Sequence, residues 1–214
     1  MRTNDLINAL VADHAAQPAP KPIAYRLVMA IAGGLAISAA LHLIILGVRP
    51  DILAALGTWR FDLKLGGSLV LVIAASWVAL RLSTPTTRPL SAMPALLVPT
   101  LLLLAAVVYE LLTVPASAWL SRAMGANGVM CLASITALSA IPLMAAIYAL
   151  RFGAPMSPAV MGAVGGMLAG ALGATVFAMY CTDDSPLFVA IWYVLAISLM
   201  SITGLVIGRH ALRW

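Results

Sequence analysis

The sequence predicts an all-α protein, a bundle of six transmembrane helices with the N- and C-termini both cytoplasmic. Composition is the first reason: 63% of the residues are hydrophobic and 9% are charged, whereas a soluble domain carries roughly 25% charged residues. A mean hydropathy of +1.06 agrees. The second reason is length. Six apolar runs, Leu27–Val48, Leu63–Leu80, Ala92–Leu112, Gly128–Leu150, Pro158–Tyr180 and Leu187–Gly208, approach or exceed the ~20 helical residues that cross a hydrocarbon core. Strands of a membrane barrel would alternate polar and apolar residues over about 10 positions, and these runs do not. The third reason is charge placement. With the N-terminus inside, Arg2, Lys21, Arg26, Arg81, Arg88, Arg151, Arg209 and Arg213 fall on the cytoplasmic side, against Arg49, Arg60, Lys64 and Arg122 outside. Short loops keep their cations in the cytoplasm, so the net charge of +5 reads as topology and not as a nucleic-acid surface.

Residues 1–22 form a separate cytoplasmic segment ahead of the membrane domain at 23–214. Thr3 is placed to cap a helix with Asn4 and Asp5 in its first turn, where a carboxylate suits the positive end of the dipole. Leu6, Ile7, Leu10 and Val11 then make an apolar stripe at helical spacing. A helix of about 11 residues does not hold alone in water, so the stripe needs a surface to cover it. The face opposite carries Asn4, Asn8 and Asp13 with no cation, which disfavours anionic lipid and leaves a protein partner or the lipid interface as readings. The prolines of Ala15–Pro22 make a semi-rigid spacer of about 3.1 Å per residue, which favours the partner.

The first apolar run is longer than the ~7–15 residues of a cleavable signal, so it is expected to stay as a span. Lys64 and Arg81 bound the short second run, where their stems let the charges snorkel outward. Tyr25, Trp59, Phe61, Tyr109, Tyr148, Phe152, Tyr180, Trp192 and Tyr193 near the run ends fit an interfacial aromatic belt. Pro94, Pro99 and Pro142 are expected to kink spans three and four. In span five Gly162, Gly166 and Gly170 recur every fourth residue, a stripe that admits a neighbouring backbone.

The outer third of the bundle collects His42, Glu110, Cys131, Cys181, Asp183 and Asp184. Thiolate and imidazole ligands suit soft or borderline ions such as Cu(I) and Zn(II). Cys131 opens span four and Cys181 closes span five, so opposite chain directions bring both thiols to one depth. Two thiols facing an oxidising compartment point to a functional site. Metal binding is favoured over a permanent disulfide, because a locked bond leaves nothing to respond. No obligatory cofactor is expected, only transient binding of a soft or borderline metal ion. Asp183 and Asp184 also precede Ser185–Pro186, a helix start with a Ser cap and Pro at the first position. A C-x-x-C dithiol, a glycine-rich phosphate loop and H-E-x-x-H are lacking, so no enzyme is expected.

Together these residues resemble the NrsF family of membrane anti-sigma factors. The likeness runs through Thr3–Asp13, Arg49–Asp51, Cys131, Gly153–Pro155, the glycine-rich fifth span, Cys181–Pro186 (CTDDSP), Phe188–Tyr193 and Leu212–Trp214. It implies an inner-membrane protein that sequesters an extracytoplasmic-function sigma factor and responds to metal or redox stress, with Cys131 and Cys181 in signal sensing. The expected partners are that sigma factor, bound through Asp5, Leu6, Ile7, Leu10 and Val11, and membrane lipid. The rival reading is a small metal or solute transporter, which has no evident need for the N-terminal stripe.

Overall fold

The computed structural model describes residues 3–5, 7, 8, 11, 22–85 and 88–213. Among these it contains helices and no strand. Six helices are long and apolar enough to cross a membrane: α1 (Ile23–Ile45), α2 (Trp59–Leu82), α3 (Met93–Thr113), α4 (Gly128–Leu150), α5 (Pro158–Ala178) and α6 (Pro186–Ala211). The expected spans are all present, with shifted ends. α1 begins at Ile23 because Pro22, whose fixed φ suits a helix entry, takes the cap position. α2 begins at Trp59, well before the apolar run, because Arg60, Asp62 and Lys64 continue the helix as polar residues. Hydropathy marks contact with lipid, not the end of a helix.

α5 is the central helix, packed against α2, α4 and α6, and also touching α1. Its glycines explain how. A Cβ on Gly166 would fall inside the Met200 carbonyl group of α6, and one on Gly162 would meet the backbone of Gly204 and Gly208. On another side of α5, a Cβ on Gly173 would run into Ser139 and Ile135 of α4. Lipid tails are as apolar as leucine, so helices associate through such close backbone packing and not through hydrophobic burial. The small-residue stripe is therefore a helix–helix seam.

Pro142 shows a related fit between α4 and α1. Without an N–H, it leaves the carbonyl four residues earlier, that of Leu138, lacking its helical donor. Ser38 of α1 donates its hydroxyl to that carbonyl at 2.7 Å. Gly34, one turn away, lies so close that a Cβ there would stand 3.0 Å from the Pro142 α-carbon. In α3 the chain enters through a 3-10 turn, Met93–Leu96, at Pro94. α6 carries a π-helical turn, Val189–Tyr193, just inside its start.

Successive helices alternate in direction. The α1–α2, α3–α4 and α5–α6 connections share one end, where the Arg49 N–H donates to the Met179 carbonyl at 3.1 Å. The α2–α3 and α4–α5 connections share the other, where the Ala154 N–H donates to the Ser83 carbonyl at 2.9 Å. Of the N-terminal stripe, Ile7 and Val11 are helical and exposed, as is Asp5. Leu6 and Leu10 lie outside the described residues.

Candidate functional site

The end formed by the three odd-numbered connections holds the bundle's buried charge. Cys131 stands in the first turns of α4, and Cys181 follows α5 by one turn, its N–H donating to the Phe177 carbonyl at 3.1 Å. The two residues belong to one buried cluster with Phe177, Phe188, Val189 and Tyr193. Both are free thiols, 0% and 2% exposed. Interaction with the neighbouring Cys131 thiol, helped by the nearby Lys64 charge, holds the Cys181 thiol below its ordinary value despite burial. The Cys181 thiol in turn lies 3.7 Å from the Asp183 carbonyl.

Around the thiols lie two ion clusters. In the first, Arg49 grips Asp51 with two parallel bonds, 2.8 Å from Nε and 2.7 Å from Nη2, and reaches Asp184 at 2.8 Å. Lys64 pairs with the other Asp184 oxygen. The Asp51 carboxylate is pulled down to about 2 by its hydrogen bonds from Arg49, and Arg49 is raised by the same bonds. Both cations stand 5.6 Å from the centroid of the Phe61 ring, which is fully buried beside them. A desolvated cation gains most from such a ring. In the second cluster the buried Glu110 takes Arg122 at 2.8 Å and Arg60 at 3.4 Å on one oxygen. Its other oxygen accepts the Ser185 hydroxyl at 2.8 Å.

Several expectations are corrected here. Lys64 does not snorkel outward: its side chain has no exposed surface, because its partners lie inside the bundle. Phe61 and Tyr193 are not belt residues, as both are buried. Glu110, Asp183 and Asp184 each have protein partners. Glu110 and Asp184 are engaged by cations, and the Asp183 carboxylate accepts the Asn127 N–H at 3.1 Å, ahead of α4. His42 packs edge-on to Tyr180 at 6.2 Å, with neither ring nitrogen hydrogen-bonded. Among the described residues no group of three His, Cys, Asp or Glu is placed to hold a metal ion. Of the six candidate ligands, Cys131 and Cys181 share one buried cluster, with Asp183 in electrostatic reach of both. The helix start at Ser185 is as expected: its hydroxyl accepts the Leu187 N–H at 3.2 Å, with Pro186 first in the helix.

Sequence reasoning missed Tyr193. Its hydroxyl is buried without a hydrogen bond of normal geometry, yet lies within electrostatic reach of Cys181, Cys131 and Asp184. One signal was available. The outer cations Arg49, Arg60, Lys64 and Arg122 nearly balance the outer acids Asp51, Asp62, Glu110, Asp183 and Asp184, as buried pairing requires.

Six helices long and apolar enough to cross a membrane, with two buried thiols and paired charges at one end, define the class as a polytopic helical membrane protein. The chain belongs to the NrsF family, negative regulators of sigma F, which it matches over residues 10–214. It is similar to the probable anti-sigma-F factor NrsF of Azospira oryzae, 32% identical over 215 residues with all of both chains covered. It is likewise similar to the anti-sigma-F factor NrsF of Caulobacter vibrioides, 31% identical over 217 residues, again across the full length of both. No solved structure matches the chain.

Proposed function

We propose that this protein is an anti-sigma factor of the bacterial inner membrane. It holds an extracytoplasmic-function sigma factor in the cytoplasm through residues 1–22 and releases it when the periplasm-facing dithiol is modified. The observation that carries the reading is the meeting of Cys131 of α4 and Cys181 of the α5–α6 connection in one buried cluster. The relatives' names as anti-sigma-F factors support the class of partner. The cation-poor stripe of Ile7 and Val11, with Asp5 in its first turn, supports the N-terminal segment as the binding element.

Energetics allow the switch. Turning a sequestered population from about 99% to about 1% takes roughly 5.5 kcal/mol of differential binding. A thiolate metal site releases about 10–16 kcal/mol in favourable structural cases. A soft metal bridging the two sulfurs needs to retain roughly a third to a half of that to drive release across the ~30 Å core. Oxidation of the pair to a disulfide, which needs Cα atoms about 4.4–6.8 Å apart, is the other modification open to two thiols.

The test is a sigma-dependent reporter in cells carrying the wild-type chain, Cys131→Ser, Cys181→Ser or a deletion of residues 2–14. The serine variants should repress normally and no longer respond to metal or oxidant, and the deletion should be active without any signal. Serine variants that respond as the wild type does would remove the dithiol from the mechanism. Normal repression by the deletion would remove the N-terminal segment.

A further inference from the structure

Both peptide groups of Cys181 are anchored. Its N–H closes the last turn after α5 on the Phe177 carbonyl at 3.1 Å. Its carbonyl accepts from Lys64 Nζ at 2.7 Å and from Arg49 Nη1 at 3.2 Å. A carbonyl has two lone pairs, and here cations from two separate elements, α2 and the α1–α2 connection, share them. Neither cation is free to drift. Lys64 is paired with Asp184, Arg49 with Asp51 and Asp184, and the Phe61 ring packs against both. With the backbone fixed on both sides, the only freedom left to the Cys181 side chain is rotation about χ1. The bond to the Asp183 carbonyl and the packing of the cluster it shares with Cys131 settle that rotation.

We propose that Lys64 and Arg49 are positioning residues of the dithiol: by gripping the Cys181 carbonyl they hold its sulfur against Cys131, where one thiophilic atom bridges both. The inference rests on the reading that this pair receives the signal. Sensitivity to the signal is then set by two residues that never touch the reagent. Ordinary structural charge pairing would stabilise the bundle without aiming a sulfur, and the difference is measurable.

The probe is phenylarsine oxide, which is membrane-permeant and selective for close dithiols. Each thiol forms an As–S bond, the two thiol protons leave with the arsenic-bound oxygen as water, and no atom changes oxidation state. The full-length protein in lipid nanodiscs should take up one arsenic bridging Cys131 and Cys181, read by intact mass and by loss of free thiols. Lys64→Met combined with Asp184→Asn removes a cation and an anion together, which spares the charge balance, and should slow capture at least tenfold. Arg49→Lys keeps a charge against Asp184 while withdrawing the second donor from the carbonyl, and should slow capture by a smaller factor. Thermal melting of each variant separates loss of aim from loss of fold.

Failure of the wild type to bridge arsenic would overturn the proposal, as would wild-type capture rates in a folded double variant. Should the double variant not fold, a wild-type rate in Arg49→Lys overturns it equally, and a slowed rate supports it. No sigma factor is present in this assay. Capture that follows the cations while release ignores the cysteines would leave the positioning intact and defeat the functional reading. The reverse pattern would do the opposite.

Discussion

The Arg122 guanidinium meets the Glu110 carboxylate at 2.8 Å, although Glu110 has no exposed side-chain surface and Arg122 is 38% exposed. Together with the Ser185 hydroxyl on the other oxygen, this joins the end of α3, the α3–α4 connection and the start of α6. Removing one partner of a buried pair costs about 3–5 kcal/mol. Arg122 can turn towards water, so Glu110→Ala should fall near the lower end of that range, with Glu110→Gln milder because Ser185 keeps an acceptor. Thermal unfolding in detergent checks this. Equal melting temperatures for wild type and Glu110→Ala would mean the carboxylate is dispensable.

The α5–α6 seam makes a sharp prediction about glycines. Gly166→Ala places a methyl group in the Met200 carbonyl and should cost at least the ~1–3 kcal/mol of overpacking, with Gly166→Leu failing to assemble. Gly33 in α1 has nothing within 4 Å of an added Cβ. Gly33→Ala should be neutral or stabilising by about 0.5–1 kcal/mol, the helical penalty of glycine. A matched pair of melting curves decides whether the seam or the residue type matters.

Acidity should loosen the Arg49–Asp51 clasp in a defined window. The Asp51 carboxyl lies at about 2 in the folded protein against an ordinary 3.8, through its hydrogen bonds from Arg49. A depressed carboxyl contributes stability that is complete above its unfolded value and disappears as pH falls through the folded one. Melting temperature should therefore drop between about pH 4 and pH 2. Asp51→Asn should flatten that part of the profile, and an unchanged slope in the variant would assign the acid loss to other groups.

The N-terminal stripe is tested most directly by charge. Ile7→Glu with Val11→Glu puts two carboxylates on exposed helical positions and should abolish capture of the sigma factor in a pull-down. Membrane insertion, read by fractionation, should be unaffected. Retained capture would mean the partner reads another surface.

Much of this architecture was legible because lipid exposure and hydropathy report the same property. All six spans, the small-residue seam, the Ser185 cap and the meeting of Cys131 with Cys181 follow from runs, spacing and alternation of direction. What escaped was the interior polarity. Lys64 sits at the edge of an apolar run, where stem length suggests an outward charge, and its partner Asp184 is 120 residues away. Glu110, near the end of another apolar run, likewise finds its partners Arg122 and Ser185 outside its own helix. Phe61 and Tyr193 share the belt's residue types and depth, and only packing separates an aromatic facing lipid from one beside two cations. Pairing across a bundle is a property of three dimensions that no local window contains.

The wide turn at Val189–Tyr193 has a consequence for phasing. A residue gained or lost in a helix turns everything beyond it by about 100°. The two halves of α6 have separate appointments: Ser185 with Glu110 at one end, Gly204 and Gly208 with α5 at the other. The extra residue works as a spacer washer between two threads cut out of step, letting each half seat fully. A chain shortened by one residue there would form a smoother helix and a worse protein, able to keep its cap or its seam but not both.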